Sequence, residues 1–177
     1  GTEAIAETLL SLQDWAEKPQ RLSGSTDEVV KAILAVLRDG SHERSDRMLG
    51  LLFLAALDEV AALARFLEDE SRNDAGIRGT AQMGLQDWLV RNPTREAYLA
   101  KQFEGLGHPR KTVALIVQLL QPFSLAATKD PATFQALIGY LDHDNLAVRH
   151  LAYWHLMVGL GFLMPAEALK IEYDPTS

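Results

Sequence analysis

The chain contains no cysteine among its 177 residues. This absence excludes disulfide bonds, thiolate metal sites and a cysteine nucleophile. It leaves the cellular compartment open, although a cytoplasmic location is favoured for this segment. Aromatic residues make up only 7% of the chain, whereas alanine and leucine are abundant. That composition favours helix over strand.

Positive charge and long apolar runs are also scarce. There are 17 lysines and arginines against 24 acidic residues, so the formal net charge is −7. Nucleic-acid binders usually have a basic surface, so we expect no nucleic-acid partner. The longest uncharged stretch, residues 151–166, contains a histidine and a proline. It is shorter than the roughly 20 apolar residues of a membrane span, so we expect no membrane insertion by this segment.

The length of the chain fits one domain with its own core. Hydrophobic residues make up 47% of the sequence, which is ordinary for a folded domain. No basic region precedes an apolar run at the start, so a signal peptide is not expected. Gly1 stands where a methionine would begin a natural chain. We therefore expect residues 1–177 to form a single domain excised from a longer protein.

The spacing of apolar residues is helical almost throughout. Turn residues and proline divide the chain into nine predicted helices. Asn92-Pro93 and Asp130-Pro131 are strong start signals, because each places a capping side chain before a proline at the first helical position. The helices cover residues 3–17, 26–38, 45–56, 58–69, 75–90, 93–104, 109–120, 131–141 and 146–162. From the second onward, moderately amphipathic and strongly apolar helices alternate. This alternation predicts helical hairpins that bury their apolar faces against one another.

Three of the apolar helices share a motif of arginine, a small residue three positions later and a leucine four positions after that. The copies are Arg47–Gly50–Leu54, Arg78–Ala81–Leu85 and Arg149–Ala152–Leu156. A period of about 30 to 40 residues is typical of a helical solenoid. On that period the first two arginines are one repeat apart, and the last two are two repeats apart. A degenerate copy opens at Arg110 or Lys111 between the last two.

The first helix looks like half of such a repeat. Residues 12–15 (Leu-Gln-Asp-Trp) recur as residues 85–88, at the end of an apolar helix in both places. The chain is therefore expected to hold a half repeat followed by four hairpins. Core packing is the default interpretation of Trp15, Trp88 and Trp154. Trp154 lies in an apolar run and is expected in the core, whereas Trp15 and Trp88 lie near helix ends and could be partly exposed.

Residues 137–152 resemble a HEAT repeat, with Asp144 in the turn followed by Val148-Arg149 and Ala152. A second match runs from Asp74 to Ala81. Similarity to the HEAT/armadillo-like family implies an all-α, right-handed α-α superhelix of about nine helices. In that family the turn aspartate and the helix arginine form a ladder between neighbouring repeats. The resemblance carries that role to Asp74, Arg78, Asp144 and Arg149.

No residue pattern predicts a metal, a cofactor or a catalytic site. The motif arginines could bind anions, but their position in step with the repeat favours the ladder. His150 and His155 are five residues apart and diverge on a helix. His143 lies between two aspartates, which a turn and a helix cap explain. Phosphate loops, nucleophile elbows and Ser/His/Asp sets are missing from the sequence.

One segment has the opposite charge balance from the rest. Residues 91–111 contain five basic residues against only two acidic ones. The ordinary interpretation is a solvated surface. The sharper hypothesis is a docking patch for an acidic peptide, formed by Arg91, Arg95, Lys101, Arg110 and Lys111.

These features predict a non-catalytic protein-interaction or scaffolding module with a protein or peptide partner. The alternative is a HEAT-like enzyme acting on a large substrate, of the bilin lyase or nucleic-acid repair type. A passive spacer or regulatory domain is a third possibility. The repeated His-Glu pairs of deoxyhypusine hydroxylase are reduced to His42-Glu43, so that activity is not expected.

Overall fold

The computed structural model of the protein describes residues 26–39, 41–69, 74–124 and 126–161. The regular elements of these residues are all helical, which confirms the predicted all-α class. The eight α-helices are α1 Thr26–Arg38, α2 Arg44–Ala56, α3 Val60–Leu67, α4 Ala75–Arg91, α5 Glu96–Gly105, α6 Arg110–Leu120, α7 Pro131–Tyr140 and α8 Leu146–Gly161. Short 3-10 turns, Pro93–Arg95 and Ala127–Lys129, precede α5 and α7. The predicted first helix, residues 3–17, lies outside the described residues.

Capping side chains set several helix starts. The Asp74 carboxylate accepts the backbone N–H groups of Gly76 and Ile77, at 3.0 and 3.2 Å. Asp130 accepts the N–H of Ala132 at 3.0 Å, and Pro131 follows it as the first helical residue. Such caps satisfy N–H groups that have no partner within the helix, which is why these boundaries could be predicted.

Asn92 behaves differently from the prediction that it caps the next helix. Its side-chain amide donates to the carbonyl oxygen of Trp88 at 3.1 Å, so it closes the end of α4 instead. Pro93 then begins a 3-10 turn, and α5 starts only at Glu96. The last carbonyl groups of α4 and the first N–H groups of the following helix both lack partners within a helix, so both can bind the Asn92 side chain. In this chain a carbonyl group of α4 binds it.

The helices pack as four consecutive pairs, α1/α2, α3/α4, α5/α6 and α7/α8. The second helices also pack in chain order, α2 on α4, α4 on α6 and α6 on α8. α4 contacts α8 as well, so the second and fourth pairs approach each other. No described helix has both the length and the apolar character that a bilayer span requires.

The small and leucine positions of the motif lie in the core, as the repeat predicts. Leu54, Ala81, Leu85 and Ala152 are fully buried. A buried leucine contributes about 2 kcal/mol relative to an exposed one. A Cβ atom at Gly50 would lie 3.3 Å from Ile33 in α1, so the small residue permits close packing within the pair.

The tryptophans differ from the prediction at Trp154. Trp88 is buried, as its default interpretation predicts, and the Tyr98 ring of α5 lies 5.9 Å from the Trp88 ring. Trp154 is only half-buried, although its surrounding run is apolar. It lies on α8, the last helix of the described residues, where its ring meets the edge of His155 at 5.0 Å. Trp15 lies outside the described residues.

Candidate binding site at the turns within the helical pairs

Side chains from three successive pairs meet at the edge of the molecule where first helices turn into second helices. Glu68 follows α3, His108 precedes α6, and Asn145 precedes α8. The Nε2 atom of His108 is in hydrogen-bond contact with Oε2 of Glu68. The side-chain amide nitrogen of Asn145 lies 3.4 Å from Nδ1 of His108 and 3.5 Å from Oε1 of Glu68. We call these three residues the turn clamp.

The hydrogen bonds of the turn clamp fix its proton positions. Oδ1 of Asn145 accepts the backbone N–H of Val148 at 3.0 Å, so the other amide atom is the nitrogen and must donate. Nδ1 of His108 therefore acts as the acceptor. Because a carboxylate oxygen can only accept, Nε2 of His108 is the donor in the contact with Glu68.

The turn before α8 is held by its own side chains. The backbone N–H of Asn145 donates to Nδ1 of His143 at 3.0 Å. Nη1 of Arg149 donates to the carbonyl oxygens of His143 and Asp144, at 2.6 and 2.9 Å. A charged donor on neutral acceptors makes a stronger hydrogen bond than a neutral pair. Side chains of the turn and of α8 therefore hold the backbone of this turn in place.

The turn clamp borders a cleft of about 570 Å³, a volume in the usual range for ligand sites. Its full formal charges come from Glu68 and Asp144, and no lysine or arginine of the described ranges lines it. The lining residues are Glu68, His108, Pro109, Thr112, His143, Asp144, Asn145 and Leu146. We call this space the turn cleft.

The chemistry of the turn clamp favours holding a ligand over transferring a proton. A general base needs an available lone pair within hydrogen-bond reach of the substrate. Nδ1 of His108 accepts from Asn145 and Nε2 donates to Glu68, so both ring nitrogens are engaged. Among the residues that the structure describes, no three His, Cys, Asp or Glu side chains are placed to hold a metal ion.

The predicted ladder residues lie at two separate turns. Asp74, at the start of α4, is 3.0 Å from Nε of Arg44 and 3.5 Å from an Nη atom of Arg47, both on α2. Its carboxylate therefore joins one pair to the preceding one. Arg78 is buried on α4. Asp144 is exposed at the turn cleft, and Arg149 holds the carbonyl groups of that same turn.

The five residues of the predicted basic patch do not form one cluster. Arg91 and Arg95 flank the start of α5, whereas Arg110 and Lys111 follow its other end. Ten helical residues separate these ends by about 15 Å. Lys101 lies between them on α5 and is exposed.

Arg91 also has acidic partners of its own. It lies 2.9 Å from Asp87 and 3.0 Å from Asp58, and these hydrogen bonds keep its pKa above the usual value. Nη2 of Arg91 donates to the carbonyl oxygen of Ala55 at 3.4 Å. Arg91 thus joins the ends of α2 and α4, and two carboxylates offset its charge.

Two buried histidines belong to the packing between pairs. Nε2 of His155 donates to the carbonyl oxygen of Leu119 at 2.6 Å, and its ring stacks on Phe123 at 4.2 Å. Burial lowers the pKa of His155. Burial and the nearby charge of Arg78 lower the pKa of His150 to about 4. Both imidazoles are therefore neutral near pH 7.

An exposed apolar strip lies on the second helices. Met83 and Val90, on α4, are 52% and 69% exposed, and Leu52, on α2, is half-exposed. Met83 and Val90 are seven residues apart and so share one face of α4. Leu52 is exposed on α2, which packs against α4. We call these three side chains the apolar strip.

Sequence reasoning missed the turn clamp. Glu68 lies in an acidic run at a helix end, and His108 lies between Gly107 and Pro109 in a turn, where both residue types are common. Only the repeat carried a usable signal, since all three residues fall in the turn within a pair.

Comparisons of this chain with protein-family models, curated proteins and solved structures find no match. The resemblance to HEAT repeats therefore depends on the residues themselves.

Proposed function

We propose that this chain is a non-catalytic protein-binding module built as a HEAT-like, right-handed superhelix. The apolar strip carries the proposal. Exposed apolar side chains rimmed by polar ones are typical of surfaces that bind other proteins. Here the rim includes Asp87 and the paired Arg91.

The position of the apolar strip supports the same function. In a solenoid the second helices line the concave surface, where extended partners bind. Trp154 of α8 lies five residues after Arg149, as Met83 lies five residues after Arg78, so Trp154 takes the place of Met83 in the repeat. Trp154 is also partly exposed. A strip that continues from α2 toward α8 would suit an extended peptide better than a compact ligand.

The enzyme alternative finds less support in the turn cleft. It needs a group ready to donate or accept a proton, and both ring nitrogens of His108 are engaged within the turn clamp.

The proposal predicts that charge on the apolar strip abolishes partner binding. The double variant Met83→Glu/Val90→Glu should bury two carboxylates in the interface. The cost should be well over the roughly 1.4 kcal/mol that lowers affinity tenfold. Cross-linking in source lysate, followed by quantitative mass spectrometry, would compare this variant with wild type. We expect the specifically enriched partners to fall by about tenfold or more.

Ile138→Glu is the matched control. Ile138 is 58% exposed but lies on α7, the first helix of its pair. It should leave partner enrichment unchanged, and thermal melts should show that both variants fold. Equal enrichment with the double variant and wild type would contradict the proposal, as would an equal loss with Ile138→Glu.

A further inference from the structure

We propose that the contact between α4 and α8 is a latch, which opens and closes while the helical pairs themselves stay folded. The latch consists of the side chains of Gln82 on α4 and His150 on α8, and we call these two the latch residues. Its existence does not depend on the proposed function. Its consequence does, because an open latch would let a partner reach more of the second helices.

The latch residues lie where the second and fourth pairs approach each other. α4 contacts α8, and burial together with the nearby charge of Arg78, on α4, lowers the pKa of His150. The Arg78 and His150 side chains are therefore close across this contact. Gln82 follows Arg78 by one helical turn and shares its face of α4. Both latch residues thus lie between the two helices.

Both latch residues are buried without hydrogen-bond partners. Gln82 is fully buried, and His150 is 5% exposed. Neither amide atom of Gln82 and neither ring nitrogen of His150 has a partner among the residues that the structure describes, and solvent barely reaches these four atoms. Buried polar groups are normally paired, because an unpaired group loses its hydrogen bonds to water and gains none in return. Opening the contact restores those bonds, so the closed form is held less firmly than an apolar contact would be.

The fourth pair has a firmer contact with the third pair. Nε2 of His155, on α8, donates to the carbonyl oxygen of Leu119 at 2.6 Å, and its ring stacks on Phe123. At the turns, the Asn145 amide nitrogen and Oε1 of Glu68 join the fourth pair to the second at 3.5 Å, which is long for a hydrogen bond. The fourth pair can therefore move away from the second while it stays attached to the third.

The contact between α2 and α4 gives no comparable reason to open. A Cβ atom at Gly84 would lie 2.9 Å from the Cβ of Ala55, so these two helices pack closely through apolar atoms. Local opening should thus occur at the latch and leave the first two pairs together, as expected for a fold whose stability varies from one region to another.

An open latch would extend the surface available on the second helices. Trp154 lies four residues after His150 and shares its face of α8, and it is already partly exposed. Separation of α8 from α4 would expose the rest of this face. Under the proposed function, the closed latch therefore covers part of the partner-binding surface, and opening uncovers it.

The chain has no cysteine, so one introduced thiol can report the opening. Ala147→Cys places the thiol three residues before His150 on α8, at a fully buried position, and Ala64→Cys places it at a fully buried position on α3 as the control. Labelling with the disulfide reagent DTNB would be followed at low urea. We expect the thiol at position 147 to react about tenfold or more faster than global unfolding allows, and the thiol at position 64 only through global unfolding.

Gln82→Met and Gln86→Met are the matched variants for the cause of the opening. Gln82→Met removes the unpartnered amide group and should slow labelling at position 147 by about tenfold, equivalent to about 1.4 kcal/mol. Gln86→Met makes the same change one turn later, at a partly exposed position, and should change the rate by less than about twofold. Thermal melts would show that each variant folds. Leu151→Cys, next to His150 and fully buried, is a second probe if Ala147→Cys disturbs the packing.

Two results would overturn the latch. They are labelling at positions 147 and 151 that requires global unfolding, and equal effects of Gln82→Met and Gln86→Met. Partner enrichment that Gln82→Met leaves unchanged would overturn its role in binding. Partner binding that depends on Met83 and Val90 would still support the proposed function if the latch stayed closed. Conversely, rapid labelling at position 147 would stand even if charge on the apolar strip had no effect.

Discussion

Asp74 and Asn145 occupy the same place in two helical pairs, each four residues before a motif arginine, and make different contacts there. Each caps a second helix through a side-chain oxygen. Asp74 also reaches back to the guanidinium groups of Arg44 and Arg47 on the preceding pair. Asn145 reaches back to the imidazole of His108 and to the Glu68 carboxylate. The first junction joins a carboxylate to two guanidinium groups, whereas the second joins a carboxylate to an imidazole and an amide and borders a cleft.

The contrast continues along the second helices. Gly84 of α4, six residues after its motif arginine, packs directly against Ala55 of α2. The equivalent position on α8 is His155, which bonds to the carbonyl oxygen of Leu119 on α6. Equivalent positions on α4 and α8 therefore both contact the preceding second helix, but the contact is apolar packing at Gly84 and a hydrogen bond at His155.

The largest effect should come from acid, which would protonate His150 on α8, the helix that follows the second junction. His150 has a pKa of about 4 in the folded chain against 6.5 when unfolded, chiefly because it is buried and also because Arg78 is near. Between these values the unfolded state binds the proton and the folded state does not, so stability falls as pH falls. The free energy of unfolding should fall by about 3 kcal/mol in total, with the full loss below pH 4 and no loss above pH 6.5. Urea unfolding at several pH values would measure it.

His150→Leu provides the control for that pH dependence. It removes the titrating group from a buried position and should remove most of the loss between pH 6.5 and 4. Some slope should remain, because burial also lowers the pKa of His155. If His150→Leu kept the whole wild-type slope, His150 would not be its source.

Removing the carboxylate of Asp74 should have the next largest effect, at the charged junction. Asp74→Ala loses a helix cap, worth about 1 kcal/mol, and leaves the half-buried Arg47 without this partner. The total cost should be about 2 to 3 kcal/mol of unfolding free energy. Asp74→Asn keeps the cap and makes the first junction resemble the second, so it should cost about half as much. Urea unfolding would measure both.

The reciprocal change, Asn145→Asp, adds a carboxylate to the second junction and so tests whether charge distinguishes the two junctions. It keeps the cap but sets a carboxylate within reach of Glu68, so it should destabilise the fold by about 1 kcal/mol through like-charge repulsion. If Asp74→Asn and Asn145→Asp were both silent, charge would not distinguish the two junctions.

The sequence predicts the helices well because their signals are local. The signal of Asp130 with Pro131 and the apolar spacing both act within a few residues, and the predicted helices 26–38 and 45–56 agree with α1 and α2 to within a residue. Asn92 shows the limit of such signals, since two helix ends compete for one side chain. The buried positions of the motif follow from the same periodicity.

The turn clamp could not be predicted in this way. Glu68 and Asn145 are 77 residues apart, and they meet only because the second and fourth pairs approach each other. That approach depends on how closely neighbouring helices pack, as at Gly84, where a Cβ atom would lie 2.9 Å from the Cβ of Ala55. Periodicity predicts the helices and their order along the chain but not which distant turns meet.

The smallest predicted effect tests that close packing at the first junction. A Cβ atom at Gly84 would lie 2.9 Å from the Cβ of Ala55, which is attached directly to the backbone of α2 and cannot turn away. Gly79, on the same helix, has open space at its Cβ position. Gly79→Ala should therefore stabilise the fold by about 0.5 to 1 kcal/mol through helix propensity. Gly84→Ala gains the same propensity but should be destabilising by about 1 kcal/mol overall, because α2 and α4 must separate. Thermal melts would show opposite shifts of about 2 to 4 °C, and equal stabilisation by both variants would mean that the glycine does not set the distance between α2 and α4.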